Sequence, residues 1–208
     1  RTFFIYDDCI FLKGSSKDKN KGLIRKISLS GEILDEIEVK HTSISDLSFC
    51  DGNAIYVGSS PTSNTEVCSL NLNTKNLNIL KESNPIQIDN DEISIPEAIS
   101  FDTTSNDIAY AYFYKPKNKN FEGSKEEKPP LLVISHGGPT GATSNALNLS
   151  IQFWTNRGFA VVDVNYRGSA GYGRKFRDAL KGNWGIYDTD DCIAAVDFLS
   201  KQGLVDSL

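Results

Sequence analysis

The runs Leu131-Leu132-Val133-Ile134 and Phe159-Ala160-Val161-Val162-Asp163-Val164 restrict the fold of this chain more than any other feature. A strand with one wet face alternates polar and apolar residues. These runs are apolar nearly throughout, the pattern of strands covered on both faces. Between them Leu147, Ile151 and Trp154 share one helical face, with Asn145 placed to cap its start and Arg157-Gly158 to end it. Further on, Asp188-Thr189-Asp190-Asp191 sets acids at the positive end of a second helix. Cys192, Ala195, Val196 and Leu199 form its apolar stripe, and Lys201 with Gly203 supplies the stop. Strand, helix, strand, helix predicts an open, doubly wound and mainly parallel α/β sheet.

Ahead of this region the period is different. Short apolar bursts such as Phe3-Phe4-Ile5-Tyr6, Leu23-Ile24-Arg25-Lys26-Ile27, Ala54-Ile55-Tyr56-Val57 and Val67-Cys68-Ser69-Leu70 are separated by turn chemistry. Asp7-Asp8, Ser30-Gly31, Asp51-Gly52-Asn53 and Asn73-Thr74-Lys75-Asn76 supply those turns. Strand-length runs with hairpin turns every ten or so residues mean antiparallel β-structure. A sandwich, a barrel and a propeller all fit. The stretch from Ser43 to Leu80 is about one blade long by a propeller period of roughly 40 residues. No second copy is similar enough to read as a repeat. After Pro96, residues 98–101 and 108–114 look like a strand pair turning at Thr104-Ser105-Asn106-Asp107, and residues 115–130 form a polar loop closed by Pro129-Pro130. The chain thus divides into a β-rich part, 1–94, and an α/β part, 95–208.

A hydrophobic share of 39% is too high for a disordered chain and permits a sizeable core. The net charge of -5 provides no basic stripe for phosphates, so nucleic acid is not an expected partner. No apolar run is long enough for a membrane span. Cys9, Cys50, Cys68 and Cys192 are scattered without metal-ligand spacing, which predicts no metal and fits a reducing cytoplasm, with two bridges in a secreted protein as the alternative.

Reactive loops of an open α/β sheet lie at the carboxyl ends of its strands, and two are present here. The first, His136-Gly137-Gly138-Pro139, follows the 131–134 run directly. Paired glycines leave backbone N–H groups unshielded, so Gly137 and Gly138 are candidates for an oxyanion hole. A tight turn without a ligand fits the tetrapeptide equally well. The second loop, residues 165–174, holds three glycines but neither the dinucleotide spacing nor a phosphate-loop lysine. In it Arg167 is suited either to a substrate carboxylate or to tying the loop to nearby carbonyls.

Residues 131–139 resemble the H-G-G-P loop of the prolyl oligopeptidase family, especially its acylaminoacyl-peptidase-like branch. Asn165-Tyr166-Arg167-Gly168-Ser169 with Gly171-Tyr172-Gly173 resembles that branch's N-Y-R-G-S-x-G-Y-G segment. Gly182-Asn183-Trp184-Gly185, followed by Asp188 and Asp191, resembles its G-x-W-G-x-x-D-x-x-D helix entry. The resemblance covers about residues 129–205. It implies the last blades of a β-propeller joined to the first half of an α/β-hydrolase, acting without a cofactor on short peptides. Gly137, with Gly138 beside it, is then the oxyanion donor. His136 stands where some relatives carry an oxyanion tyrosine, and a loop-fixing role suits it better.

The nucleophile elbow G-x-S-x-G is absent, since no serine here has glycine both two residues before and two after. Triad order in this fold is Ser, acid, His. His136 precedes any elbow and His41 lies in the β-rich part, so neither is the base. The chain therefore reads as a fragment of a serine peptidase that stops short of its nucleophile and is inert alone. Two other readings remain open on sequence: a non-catalytic propeller and half-hydrolase binding module, and a carboxylesterase-type hydrolase.

Overall fold

The computed structural model describes residues 2–16, 21–83, 88–124 and 126–206. The chain forms two compact units, Arg1–Gln87 with Asn145–Leu147, and Ile88–Ser144 with Asn148–Leu208.

The first unit holds two four-stranded antiparallel meanders. One runs through β1 (Phe3–Tyr6), β2 (Cys9–Ser15), β3 (Gly22–Ser28) and β4 (Ile33–Val39). The other runs through β5 (Ser43–Cys50), β6 (Asn53–Ser60), β7 (Ser63–Asn71) and β8 (Leu77–Glu82). The turn residues act as their chemistry dictates. Asp7 and Asp8 both adopt φ 52°, and Asp51 (46°) with Gly52 (75°) closes the β5–β6 hairpin, as a mirror-image two-residue turn requires. Phe4, Phe11, Ile24 and Ile37 of the first meander share a core with Leu47, Tyr56, Cys68 and Leu70 of the second. The unit therefore repeats in shape although its sequence shows no repeat. Any apolar residue at alternate positions satisfies such a face, so side-chain identity need not recur.

The second unit is built on one sheet in the order β11-β12-β10-β9, from β9 (Glu97–Thr103), β10 (Asp107–Tyr114), β11 (Leu131–Ser135) and β12 (Ala160–Asn165). The expected mainly parallel sheet does not form. Only β11 and β12 pair in parallel, whereas β10 pairs antiparallel with both β12 and β9. The reason is the hairpin β9–β10, legible as a strand pair in the sequence, which docks alongside β12. Helices cover both faces. Val162 and Val164 pack with Ala195 and Leu199 of α3 (Tyr187–Lys201), while Val161 and Tyr114 pack with Ile151 of α1 (Leu149–Thr155). A short α2 spans Arg174–Asp178. The cap of α1 is Asn148, whose side chain accepts from the Ser150 and Ile151 amides. Asn145, expected in that role, instead accepts from Thr42 Oγ1 at 2.7 Å. Leu147 likewise lies ahead of the helix. No helix among the described residues is long and apolar enough to cross a membrane.

Candidate functional site

The His136–Pro139 loop leaves the carboxyl end of β11, where the register pairs Ser135 with Val164 of β12. Gly138 adopts φ 74°, the left-handed region that favours glycine, and reverses the chain there. Gly137 and Gly138 are exposed, and a side-chain carbon on either would meet nothing within 4 Å. Among the described residues neither N–H donates to a protein acceptor. Carbonyl groups of the same loop are held from behind. Tyr166 Oη donates to the Gly138 carbonyl at 2.7 Å and lies 3.2 Å from that of His136. Burial pushes the Tyr166 phenol above its usual range, so it stays a donor at neutral pH.

His136 stacks on the Tyr166 ring at 4.4 Å, and its Nε2 lies 2.7 Å from Ser169 Oγ. That spacing resembles a nucleophile beside its base, but the proton runs the other way. Ser169 Oγ already donates to the Tyr166 carbonyl at 2.7 Å, so it accepts from Nε2–H of His136. Ser169 is also fully buried. The pair fixes the loop; it does not activate an alcohol. A further strap is the Ala170 N–H, which donates to the Gly141 carbonyl at 2.8 Å.

Arg167 turns away from this surface, and both it and Asp191 of α3 are 0% exposed. Its backbone N–H donates to Asp191 Oδ2 at 2.6 Å, its guanidinium lies 2.8 Å from Oδ1, and Thr104 takes two more bonds at 2.8 and 3.0 Å. The ring of Tyr187 stacks under the guanidinium at 3.8 Å. Of the two roles open to Arg167, this geometry is that of the tie, and no donor of the group is offered to a substrate carboxylate.

The three sequence motifs are thus one mechanical assembly. The 165–173 loop carries Tyr166 and Ser169 toward the glycine loop and Arg167 toward the helix that the Gly182–Asp191 segment opens. Residues 145–208 match the prolyl oligopeptidase family. That match takes in the 165–173 loop and α3 but not the glycine loop at 136–139. Curated relatives include a dipeptidyl aminopeptidase BIII of Pseudoxanthomonas mexicana, 36% identical over 97 residues that make up 47% of this chain and 14% of that one. An acylamino-acid-releasing enzyme 1 of Oryza sativa subsp. japonica is 38% identical over 78 residues, 38% of this chain and 10% of that one. Among solved structures, a puromycin hydrolase superimposes with a TM-score of 0.88 at 30% identity, over 99% of this chain and 31% of the hydrolase. The chain therefore spans a small part of the length of these proteins.

Several contributors escaped the sequence reading. Tyr166, Ser169 and Asp191 were visible only as motif letters, because their partners lie on other elements. Asp163 was absorbed into an apolar run, where one acid among valines was itself a signal. It is 7% exposed, and burial raises its carboxyl to about 6, opposed by a hydrogen bond from Thr143 Oγ1. The native state thus holds this proton more tightly than the unfolded chain, so stability contributed here falls as pH rises from about 4 to about 6. Across that range the difference between the folded and unfolded carboxyl corresponds to about 3 kcal/mol. Asp163→Asn is expected to remove that slope and to be more stable than wild type above pH 6, measured by urea unfolding at pH 4 to 7. An unchanged slope would show that Asp163 ionises freely in the folded chain.

Proposed function

We propose that this chain is part of a serine-type peptidase that cleaves short peptides through an acyl-enzyme, with nucleophile, acid and base supplied by residues outside 1–208. In this reading residues 1–94 are the last blades of a β-propeller and residues 95–208 the opening part of an α/β-hydrolase. The observation that carries it is the glycine loop at the end of β11. Among the described residues its two N–H groups meet no protein acceptor, and its carbonyls are fixed from behind by Tyr166. As the attacked carbonyl carbon becomes tetrahedral, its oxygen gains negative charge. A pre-oriented donor from Gly137 stabilises that oxygen without reorganising, an effect worth on the order of 10²–10³ in rate. His136 supports the loop and moves no proton. The peptidase names of the curated relatives and the hydrolase similar in structure support an amide-bond substrate. Two successive four-stranded meanders support the propeller, and four free cysteines suit a reducing cytoplasm. Nothing in this step needs a cofactor.

The test uses protein expressed from the complete reading frame, assayed on dipeptidyl and acylaminoacyl p-nitroanilides and treated with a fluorophosphonate probe. Turnover is expected, with covalent labelling at a serine in a G-x-S-x-G sequence beyond residue 208. The 208-residue chain alone is expected to show neither. Labelling of Ser169, turnover by the 208-residue chain, or hydrolysis of esters without amides would each overturn the assignment.

A further inference from the structure

A second polar constellation lies in the first unit, inside the core shared by the two meanders. Glu66 and Cys68 stand two apart on β7 and so point to the same face. Their antiparallel partners on β6 are Gly58 and Tyr56. The missing side chain at Gly58 leaves a space above the sheet, and the imidazole of His41 fills it. A carbon added to Gly58 would sit 2.4 Å from His41 Cγ and Nδ1. His41 is 0% exposed, as is Cys68. Its Nδ1 is hydrogen-bonded to Tyr56 Oη at 3.1 Å, which orients the ring and turns Nε2 toward the other two residues. Glu66 Oε2 lies 2.8 Å and Cys68 Sγ 3.9 Å from that one nitrogen, and Sγ is 3.9 Å from Oε2.

We propose that His41, Glu66 and Cys68 are the protein ligands of a divalent zinc-class cation. One imidazole nitrogen, one thiolate and one carboxylate form a donor set that suits Zn²⁺. Bonds of about 2.0–2.3 Å in a tetrahedron hold ligand atoms roughly 3.3–3.6 Å apart. Both sulfur distances are within a few tenths of that spacing, and only the Glu66 carboxylate must draw back from the imidazole. Tyr56 is the outer partner that a metal-bound histidine uses to fix its tautomer. Binding displaces the Cys68 Sγ proton to solvent and takes the neutral His41 tautomer, whose one ring proton sits on Nδ1 and is donated to Tyr56 Oη. Lys40 supplies the balancing charge when no cation is bound: its half-exposed ammonium lies 2.8 Å from Glu66 Oε2 and donates to Oε1 at 3.1 Å. Sequence spacing concealed the set, since Glu66-x-Cys68 is not a finger motif and His41 comes from the approach to another strand.

The experiment titrates the 208-residue chain, anaerobically and with thiols reduced, with Co²⁺ and then Zn²⁺. One Co²⁺ per chain is expected, with a thiolate charge-transfer band that Zn²⁺ abolishes. X-ray absorption of the zinc-loaded wild type is expected to show one sulfur at about 2.3 Å among nitrogen or oxygen neighbours at about 2.0–2.1 Å. Cys68→Ser and His41→Gln lose the band, and Cys50→Ser keeps it. Lys40→Ala binds several-fold tighter, a gain that a merely structural His–Glu pair would not produce. A wild-type zinc spectrum without a sulfur neighbour, no binding at micromolar Zn²⁺, or a band surviving in Cys68→Ser each overturns the proposal. The wild-type measurements decide the matter even where a variant fails to fold.

Discussion

Asp191→Asn is expected to cost the second unit about 3–5 kcal/mol, the range for a buried ion pair that loses one partner. The carboxylate sits under a guanidinium that is itself 0% exposed, and it accepts from the Arg167 backbone and from Thr103 Oγ1 at 2.6 Å. Asparagine keeps the shape and one acceptor oxygen but leaves a full positive charge in the interior. Domains are stable by roughly 5–15 kcal/mol, so the loss takes a large part of the total. Urea unfolding should show a lower midpoint with an unchanged slope. Arg167→Met combined with Asp191→Leu should recover most of the loss, because the double variant removes the desolvated charge as well as its partner. A single-variant loss under about 1 kcal/mol would mean that water reaches the pair, contrary to its burial.

Gly168→Ala is expected to cost about 3 kcal/mol or more, for two separate reasons. Gly168 holds φ 119°, outside the small left-handed region that other residues visit, which alone costs about 1–3 kcal/mol for an L side chain. The new methyl would also lie 2.5 Å from Leu180 Cδ2 and 2.9 Å from the Pro139 carbonyl oxygen, and overpacking of this kind costs about 1–3 kcal/mol. Gly138→Ala is the matched comparison. Its φ of 74° is left-handed but open space surrounds it, so the loss should be near 1 kcal/mol. Adding Leu180→Ala to Gly168→Ala removes only the Cδ2 contact, leaves the residue-180 Cβ at 2.8 Å and the Pro139 carbonyl in place, and should not restore wild-type stability. Equal melting losses at positions 138 and 168 would remove the case for a clash.

The sequence made the strands of both units legible because burial on one face or two leaves a period that needs no partner to be recognised. It could not reveal which strand lies beside which. β10 reads as a strand from Ile108 onward, yet its place next to β12 depends on tertiary packing and turned an expected parallel sheet into a mixed one. Caps failed for a similar reason: Asn145 and Asn148 are equally good capping residues, and only the position where the chain enters α1 chooses between them. The glycines of the 137–138 loop were readable because their chemistry is local. What holds that loop was not. Tyr166 and Ser169 act on residues some thirty positions earlier in the chain, and Asp191 acts on Arg167 from a helix further along.

The hairpin β9–β10 gives the second unit's sheet a direction. β9 forms one margin with most of its residues turned to solvent, while β11 forms the other with Val133 and Ile134 left 39% and 37% exposed. Consecutive strand residues face opposite sides, so these two leave both faces partly bare at that margin, and an edge of this kind accepts a further strand. Whatever polypeptide pairs there and runs parallel to β11 finishes beside Gly137, so the address of any added chemistry is already written into the order of four strands.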